Sequence, residues 1–279
     1  MKTESVERFD RTAEGYLRWW APVLAPASMR LISRVGRLWP ELPGGEPLDV
    51  IDMGCGTGNL LFEAARRWPS ARLVGLDASE GMLEVARRQA AALPDSARSR
   101  IKFVAADAAA APAPDASFDL VMTGFMIQQV TDRATAMAEL FRICRPGGRV
   151  AIVGWLTETV PFGPEAALEE ALAEVGVVRP APRDVKSGHF RTVRQAADEL
   201  RRAGFRGVAA RAERLEHPWQ AEDFITYRTT TRDLDLFEAM TENSRRQTLE
   251  VLRRRLNGIS EEKLVHRPPI VSIVARRGS

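Results

Sequence analysis

An apolar run that ends abruptly in three alternately spaced glycines constrains this 279-residue chain more than any other feature. The run covers residues 48–53, and the glycines are Gly54, Gly56 and Gly58. Because glycine has no Cβ, it tolerates left-handed backbone angles and lets a ligand lie directly against the main chain. The pattern predicts a strand, a tight turn and a helix whose first backbone N–H groups point toward that ligand.

A second strand pattern, at 71–77, ends in the acid Asp77. An acid roughly 20 residues beyond a glycine turn is the usual position of a carboxylate that accepts the hydroxyls of a ribose. A glycine-rich turn alone is a weak signal, since dinucleotide-binding domains use a similar device. The turn and Asp77 together therefore predict a nucleoside-containing ligand.

The segment 52–58, Asp-Met-Gly-Cys-Gly-Thr-Gly, resembles the first motif of the class I S-adenosylmethionine-dependent methyltransferases, acid-x-Gly-x-Gly-x-Gly after a strand. Phe118-Asp119 at a strand start and the Arg-Pro-Gly-Gly of 145–148 before another strand extend the similarity over about 48–155. The pattern is similar to the small-molecule branch that is menaquinone-biosynthesis-like and methyltransferase-11-like. A nicotinamide oxidoreductase is the weaker alternative, because its glycine spacing differs and neither tyrosine stands in a Tyr-x-x-x-Lys pattern.

This resemblance implies an α/β fold with a doubly wound, seven-stranded Rossmann-like methyltransferase sheet. Its strand order is expected to be 3-2-1-4-5-7-6, with the last strand antiparallel. Residues 1–40 are expected to form a helical N-terminal cap of two helices, and 41–279 the methyltransferase core, with a hinge or boundary in the proline- and glycine-rich loop 40–47. Two helical lid insertions, at about 156–190 and 216–267, are expected to roof the substrate pocket.

The resemblance also implies S-adenosyl-L-methionine as the cofactor and S-adenosyl-L-homocysteine as its product. Asp107 and Ala108, after the third strand, match the family position that contacts the adenine edge, and Tyr16 is the candidate contact from the N-terminal segment. Core packing explains Met82 nearly as well as cofactor contact. The expected cofactor-binding residues are Tyr16, Asp52, Gly54, Cys55, Gly56, Gly58, Asp77, Ala78, Met82, Asp107, Ala108 and Thr123.

Catalysis by such a protein needs little help from side chains, because in-line methyl transfer depends mostly on positioning. A general base is needed only where the acceptor must lose a proton. The three histidines, His189, His217 and His266, all lie in or at the edges of the predicted lids. Histidine is the natural base near neutral pH. His189 and His217 are therefore the catalytic candidates, with a structural or surface imidazole as the alternative for each.

The acceptor is expected to be a partly hydrophobic small molecule, such as a secondary metabolite or quinone-like compound, methylated on O, N or C. The loop 123–126 lacks the Pro-Pro motif of methyltransferases that act on amino groups, and the predicted lids are rich in apolar residues. The arginine runs 245–246 and 253–255 are interleaved with leucines as on a solvated helix face, which disfavours nucleic acid as a partner. An RNA or protein methyltransferase, and a cofactor-binding protein without methyl transfer, remain alternatives.

The composition allows a globular fold with a sizeable core, since 45% of the residues are hydrophobic and the net charge is only +3. Two cysteines, Cys55 and Cys144, form neither a disulfide framework nor a metal-ligand cluster, so no metal is predicted. Neither a membrane span nor a signal-peptide core is visible, which predicts a soluble cytoplasmic protein. A homodimer is left open as the assembly.

Overall fold

The computed structural model of the chain describes residues 3–39, 47–157, 160–179 and 188–278. Most of the loop predicted as a boundary, and parts of the first predicted lid, lie outside these residues. Within the described ranges, no helix combines the length and apolar character that crossing a bilayer requires.

The N-terminal segment is a single helical path. Helix α1 spans Glu4–Gly15, one π-helical turn covers Tyr16–Trp20, and α2 spans Ala21–Leu38. Thr3 caps α1, because its side chain accepts a hydrogen bond from the Val6 N–H. The sequence predicts two helices here. The structure joins them through the π turn, a rare irregularity that is frequent at functional sites.

Strands and helices then follow one another as far as β5, with two consecutive helices before β3 and none between β3 and β4. In order they are β1 Asp49–Met53, α3 Asn59–Arg67, β2 Arg72–Asp77, α4 Glu80–Ala91, α5 Asp95–Arg98, β3 Ile101–Ala105, β4 Phe118–Gly124, α6 Arg133–Ile143 and β5 Cys144–Trp155. The second half adds α7 Gly163–Val175, α8 Val193–Arg202, β6 Phe205–Arg214, β7 His217–Pro218, α9 Ala221–Tyr227, a second π-helical turn Arg228–Arg232, α10 Leu234–Glu238, α11 Glu242–Asn257, a 3₁₀ turn Glu261–Leu264, β8 Val265–His266 and β9 Pro269–Arg277.

Seven strands form the main sheet in the order β3-β2-β1-β4-β5-β9-β6. Strand β9 is antiparallel to both β5 and β6, whereas the other pairs are parallel. Since β9 is the seventh strand of this sheet, the predicted order and the antiparallel last strand are confirmed. Strands β7 and β8 form a separate ribbon.

Helices cover both faces of the sheet, which explains the continuous apolar runs of its central strands. Val50 of β1 packs with Leu31 of α2, whereas its neighbour Ile51 packs with Leu140 of α6 and Leu200 of α8 on the opposite face. This burial fixes the register, because a shift by one residue would exchange the two faces.

Local signals set most of the element boundaries. Ser79 caps α4, because its hydroxyl accepts a hydrogen bond from the Met82 N–H. Helix α6 ends at Ile143, and the chain is already extended at Cys144. Pro146 disfavours the helical conformation in the residue before it, so the helix ends ahead of the proline.

The described parts of the two predicted lids pack on each other. Leu168 and Leu172 of α7 share a buried cluster with Leu252 and Leu256 of α11. Val23 of α2 belongs to the same cluster, so the lid helices are attached to the N-terminal segment as well. The division of the chain into cap, core and lids stays a prediction.

Candidate functional site

A cavity of about 340 Å³ lies where the sheet strands end, and we call it the cofactor cavity. Its floor comes from the residues that follow four neighbouring strands, namely Gly54, Gly56, Asp77, Ala78, Asp107, Ala108, Gly124 and Phe125. Helix α1 and the first π turn supply a wall with Thr3, Val6, Phe9 and Tyr16. Ligands bind outside the carboxyl ends of the strands in open α/β sheets, so this is the expected location for a nucleoside.

The three glycines of the turn after β1 have different roles. All three have left-handed backbone angles, with φ of +73° at Gly54, +52° at Gly56 and +97° at Gly58. A Cβ on Gly54 would clash with Met126, and one on Gly58 would clash with the Phe62 ring. A Cβ on Gly56 would meet nothing within 4 Å. Gly56 therefore leaves room for a ligand, whereas Gly58, which does not line the cavity, serves the turn.

Asp77 is held rigidly at the end of β2. One carboxylate oxygen accepts the Gly56 N–H at 2.8 Å and the other accepts the Ser79 N–H at 2.9 Å. Burial raises the pKa of Asp77, and backbone N–H groups, including those of Gly56 and Ser79, partly oppose that rise. The carboxylate is thus fixed in position while it still lines the cavity.

Asp52 lies beside a smaller space of about 30 Å³ that also contacts Tyr16, Cys55 and Gly56. It is only 1% exposed, and neither carboxylate oxygen makes a hydrogen bond within 3.5 Å to the described residues. Burial, followed by the nearby charge of Asp77, raises the pKa of Asp52 to about 8, and the backbone N–H of Leu61 partly opposes the rise. A buried carboxylate with so little hydrogen bonding is costly, and a cationic group of a ligand would compensate it.

Helix α1 is fastened to the start of α4. A carboxylate oxygen of Asp10 accepts the Ser79 hydroxyl at 2.7 Å and the Gly81 N–H at 2.9 Å. A Cβ on Gly81 would lie 2.6 Å from the Asp10 carbonyl oxygen, so only glycine permits this approach. The attachment brings Tyr16 to the cofactor cavity, where burial and the charges of Asp77 and Asp52 raise the pKa of its hydroxyl.

Two of the predicted cofactor contacts, Gly58 and Thr123, lie outside both spaces. Thr123 is completely buried within β4 and lines neither the cofactor cavity nor the space at Asp52. Its successors Gly124 and Phe125 line both instead. Phe125 has a left-handed backbone, with φ of +58°, a strain that clusters at functional sites. The residue type of Phe125 does not predict this backbone conformation. Only the position of the loop after the fourth strand indicated that the loop contacts a ligand.

Met82 and the residues after β3 lie where the sequence predicts them. Met82, at 3% exposed, lines the cofactor cavity and also packs in a small cluster with Phe9. Asp107 and Ala108 both line the cavity, and Asp107 accepts the Ala109 N–H at 2.8 Å. Cavity contact and core packing are thus both correct descriptions of Met82.

A second, larger cavity of about 430 Å³ lies between the lids and the N-terminal segment, and we call it the aromatic chamber. Trp20 stacks on Tyr227 in its wall, with ring centroids 5.2 Å apart and planes 1° apart. The lining residues are Trp20, Trp155, Val160, Pro161, Phe162, Glu165, Ala166, Glu169, His189, Trp219, Phe224, Tyr227, Arg228, Arg232, His266 and Pro268. Several of the lid aromatics that line the chamber, such as Trp219 and Phe224, also pack in the buried cluster of α7 and α11.

A third space of about 110 Å³ lies between the other two, and we call it the junction. It shares Phe9, Tyr16, Phe125 and Gln129 with the cofactor cavity. It shares Trp20, Trp155, Tyr227 and Arg232 with the aromatic chamber. The three spaces therefore form a row that runs from the sheet edge to the lids.

His189 lines the aromatic chamber and is positioned through its neighbours. Arg133 donates a hydrogen bond to the Gly188 carbonyl at 2.6 Å and packs over the Phe190 ring at 4.6 Å. Burial, then the charges of Arg232 and Arg133, lower the pKa of His189. The imidazole is therefore neutral at physiological pH and able to accept a proton.

The geometry does not support His217 as a catalytic candidate. His217 pairs with His266 across the β7–β8 ribbon, yet of the two only His266 lines the aromatic chamber. The His217 ring contacts Trp219 instead, with centroids 5.0 Å apart. Burial lowers the pKa of His266 to about 4, so this imidazole is also neutral. The sequence shows that the three histidines fall in the lids but not which of them face the chamber.

Comparisons with known proteins agree with this geometry. Residues 50–148 match the family model described as a methyltransferase domain. A demethylmenaquinone methyltransferase of Lactococcus lactis is 37% identical over 120 residues, which cover 43% of this chain and 46% of the relative. The chain thus spans less than half the length of this curated relative.

Two solved structures share the fold. The YcgJ protein of Bacillus subtilis is 16% identical with a TM-score of 0.56, over 91% of this chain and 99% of the other. Phosphoethanolamine N-methyltransferase 2 of Haemonchus contortus, solved with phosphomonomethylethanolamine and S-adenosylhomocysteine, is 17% identical with a TM-score of 0.51, over 88% and 52%. At such identities the likeness establishes the fold.

Proposed function

We propose that this chain, which belongs to the class I S-adenosylmethionine-dependent methyltransferases, transfers a methyl group to a partly hydrophobic small molecule held in the aromatic chamber. The observation that carries this proposal is the row of three adjacent spaces, in which neighbouring spaces share lining residues. A cofactor in the first and an acceptor in the third would meet in the junction.

The cofactor of this family is S-adenosylmethionine, and the residues present fit it. The buried carboxylate of Asp52, which accepts no hydrogen bond within 3.5 Å from the described residues, suits the ammonium group, and the fixed carboxylate of Asp77 suits the ribose hydroxyls. The open space at Gly56 suits a ligand lying against the backbone. The bound cofactor supplies an electrophilic methyl group on a sulfonium. The roles of the individual contact residues remain proposals.

The protein's own contribution is position and the exclusion of water. Phe9, Tyr16 and Phe125 line both the cofactor cavity and the junction, so they would hold the acceptor in line with the methyl group. Where the acceptor atom carries a proton, the neutral imidazole of His189 is the candidate to accept it. His217 does not line the chamber, so it could not accept a proton from an acceptor held there.

Three tryptophans and two phenylalanines in the chamber suit a flat aromatic body, because stacked and edge-on rings bury large apolar areas. The Lactococcus lactis relative is named as a demethylmenaquinone methyltransferase, which makes a quinone-like acceptor a reasonable class to test. Nucleic acid is less well supported, because Arg253, Arg254 and Arg255 pair with carboxylates of neighbouring lid helices. These pairs neutralise the arginine run that would otherwise attract phosphates.

The test is methyl transfer from methyl-tritiated S-adenosylmethionine to a panel of reduced naphthoquinones, catechols and hydroxycoumarins, with transfer RNA and a peptide pool in parallel. We expect label in one or more aromatic small molecules. Label in RNA or peptide would contradict the proposed acceptor class. Cofactor binding by calorimetry without transfer to any compound would favour a cofactor-binding protein with another activity.

A further inference from the structure

Two arginines from different elements line the junction. Arg8 comes from α1 and Arg232 from the end of the second π turn, and both line this space. Arg232 also lines the aromatic chamber, so it lies at the boundary between the two. None of the described residues that line the junction is acidic.

Neither arginine forms an ion pair within the described part of the chain. No carboxylate there lies within 4.0 Å of the Arg8 or Arg232 guanidinium, and the nearby Asp233 and Glu165 are bound to Arg228. Tyr227, then the charges of Glu165 and Asp233, raise the pKa of Arg232, so that its charge is partly compensated. Arg232 interacts with the Tyr227 hydroxyl. A guanidinium has five N–H donors, so most of those on Arg232 remain for a ligand.

The two charges oppose each other. Burial, followed by the charge of Arg232, lowers the pKa of Arg8, as expected when two cations face one enclosed space. An anionic group between them would relieve this repulsion, and guanidinium groups bind carboxylates through paired, charge-assisted hydrogen bonds. Thr12, Gln129 and Thr231 supply neutral polar groups around the same space.

The sign of the charge also changes along the row. Asp77, Asp107 and Asp132 line the cofactor cavity, whereas the junction has only basic charges among its described lining residues. We propose that the acceptor is an anion whose aromatic body lies in the chamber and whose acidic oxygen is bound by Arg8 and Arg232. This proposal rests on the proposed function, because it places the acceptor in the chamber.

The test compares 2-naphthoate with its neutral isostere 2-naphthamide. Trp20, Trp155 and Trp219 line the chamber, so quenching of tryptophan fluorescence gives the dissociation constants, with and without S-adenosylhomocysteine. We expect naphthoate to bind at least about tenfold more tightly. Binding of 2-naphthol, measured at rising pH, tests whether the acidic oxygen can also belong to a phenol. A gain in affinity when 2-naphthol ionises would show that the site accepts a phenolate as well as a carboxylate.

The variants Arg232→Gln and Arg8→Gln are expected to remove the preference for naphthoate while naphthamide affinity stays within about twofold. Arg194→Gln is the matched control, because that side chain is 92% exposed. Circular dichroism verifies that each variant is folded, and Arg8, on α1, provides a second test should the Arg232 variant be unstable.

Equal affinities for the two probes, binding of neither probe, or an equal loss for both in the variants would overturn the proposal. The assay needs no methyl transfer. A chain that prefers the anion but transfers no label would therefore contradict the proposed function alone.

Discussion

The cofactor cavity and the aromatic chamber are neighbours, yet the chain builds them in different ways. The cavity floor comes from short segments at the ends of β1, β2, β3 and β4, where backbone geometry and residue type are fixed together. The chamber is assembled from side chains far apart in sequence, such as Trp20, Trp155, His189 and Tyr227. A ligand shared by a whole family constrains the local backbone, whereas a particular acceptor constrains only the shape and charge of a surface.

The cofactor cavity and the junction also differ in charge, whereas the chamber lining carries both signs. Asp52, Asp77 and Asp107 surround the proposed cofactor, which is a cation, whereas Arg8 and Arg232 face the proposed acceptor. In the proposed complex each partner meets the opposite charge. The following predictions test whether the regions act separately, in order of decreasing effect.

Gly56→Leu should weaken the binding of S-adenosylhomocysteine by about 100-fold or more, equivalent to about 2.7 kcal/mol, because its side chain would occupy the cofactor cavity. Gly147→Leu is the matched control. Gly147 also has a positive φ, of +78°, and open space around it, but it lies at the start of β5 away from the cavity. Calorimetry measures both. If both variants lost a similar amount of affinity for S-adenosylhomocysteine, backbone strain would explain the effect instead.

His189→Ala should lower the methylation rate by about 100-fold for an acceptor that must lose a proton, with unchanged cofactor affinity. His217→Ala, the companion variant from the second predicted lid, should change the rate by less than about twofold, because His217 does not line the chamber. Single-turnover transfer of labelled methyl groups gives the rates. Full activity of His189→Ala would remove the proposed base.

The affinity for S-adenosylhomocysteine should increase as the pH rises toward 8 and then become constant. Asp52, with its pKa raised to about 8, is protonated below that pH and must ionise to bind an ammonium group. The expected change is about tenfold for each pH unit well below 8. Calorimetry from pH 6.5 to pH 8.5 measures it, and Asp52→Asn should remove the dependence. A slope that persists in that variant would identify another group, with Asp77 the first to examine.

Gly15→Ala should destabilise the attachment of α1 to the second π turn, because the new Cβ would clash with the Thr231 hydroxyl. We expect a loss of about 1–3 kcal/mol in the free energy of unfolding, measured with urea. Thr231→Ala in the same chain should restore part of this loss by removing the hydroxyl. If the effects of the two substitutions simply add in the double variant, Gly15 and Thr231 are not in direct contact.

Local residue types, together with the family resemblance, made the fold and the carboxylates at the strand ends predictable. Gly54, Gly56, Asp77 and Asp107 each stand in a segment whose neighbours determine its conformation, and all four line the cofactor cavity. Thr123 differs, because strand alternation directs its side chain into the core. Phe125 lines the cavity instead, and its N–H donates to the Val153 carbonyl of β5 at 2.8 Å, a contact between distant segments.

By itself the sequence determined the glycine turn and the carboxylates at the strand ends, because periodicity and backbone permissiveness are properties of neighbouring residues. The strand order was an expectation from the family resemblance, and the structure confirms it. Only the tertiary structure decided that Trp20 stacks on Tyr227, that His189 and His266 face the chamber while His217 does not, and that Arg8 meets Arg232. Those contacts join segments that have no local relation. They exist because packing of the lids against the N-terminal helices brings the segments together.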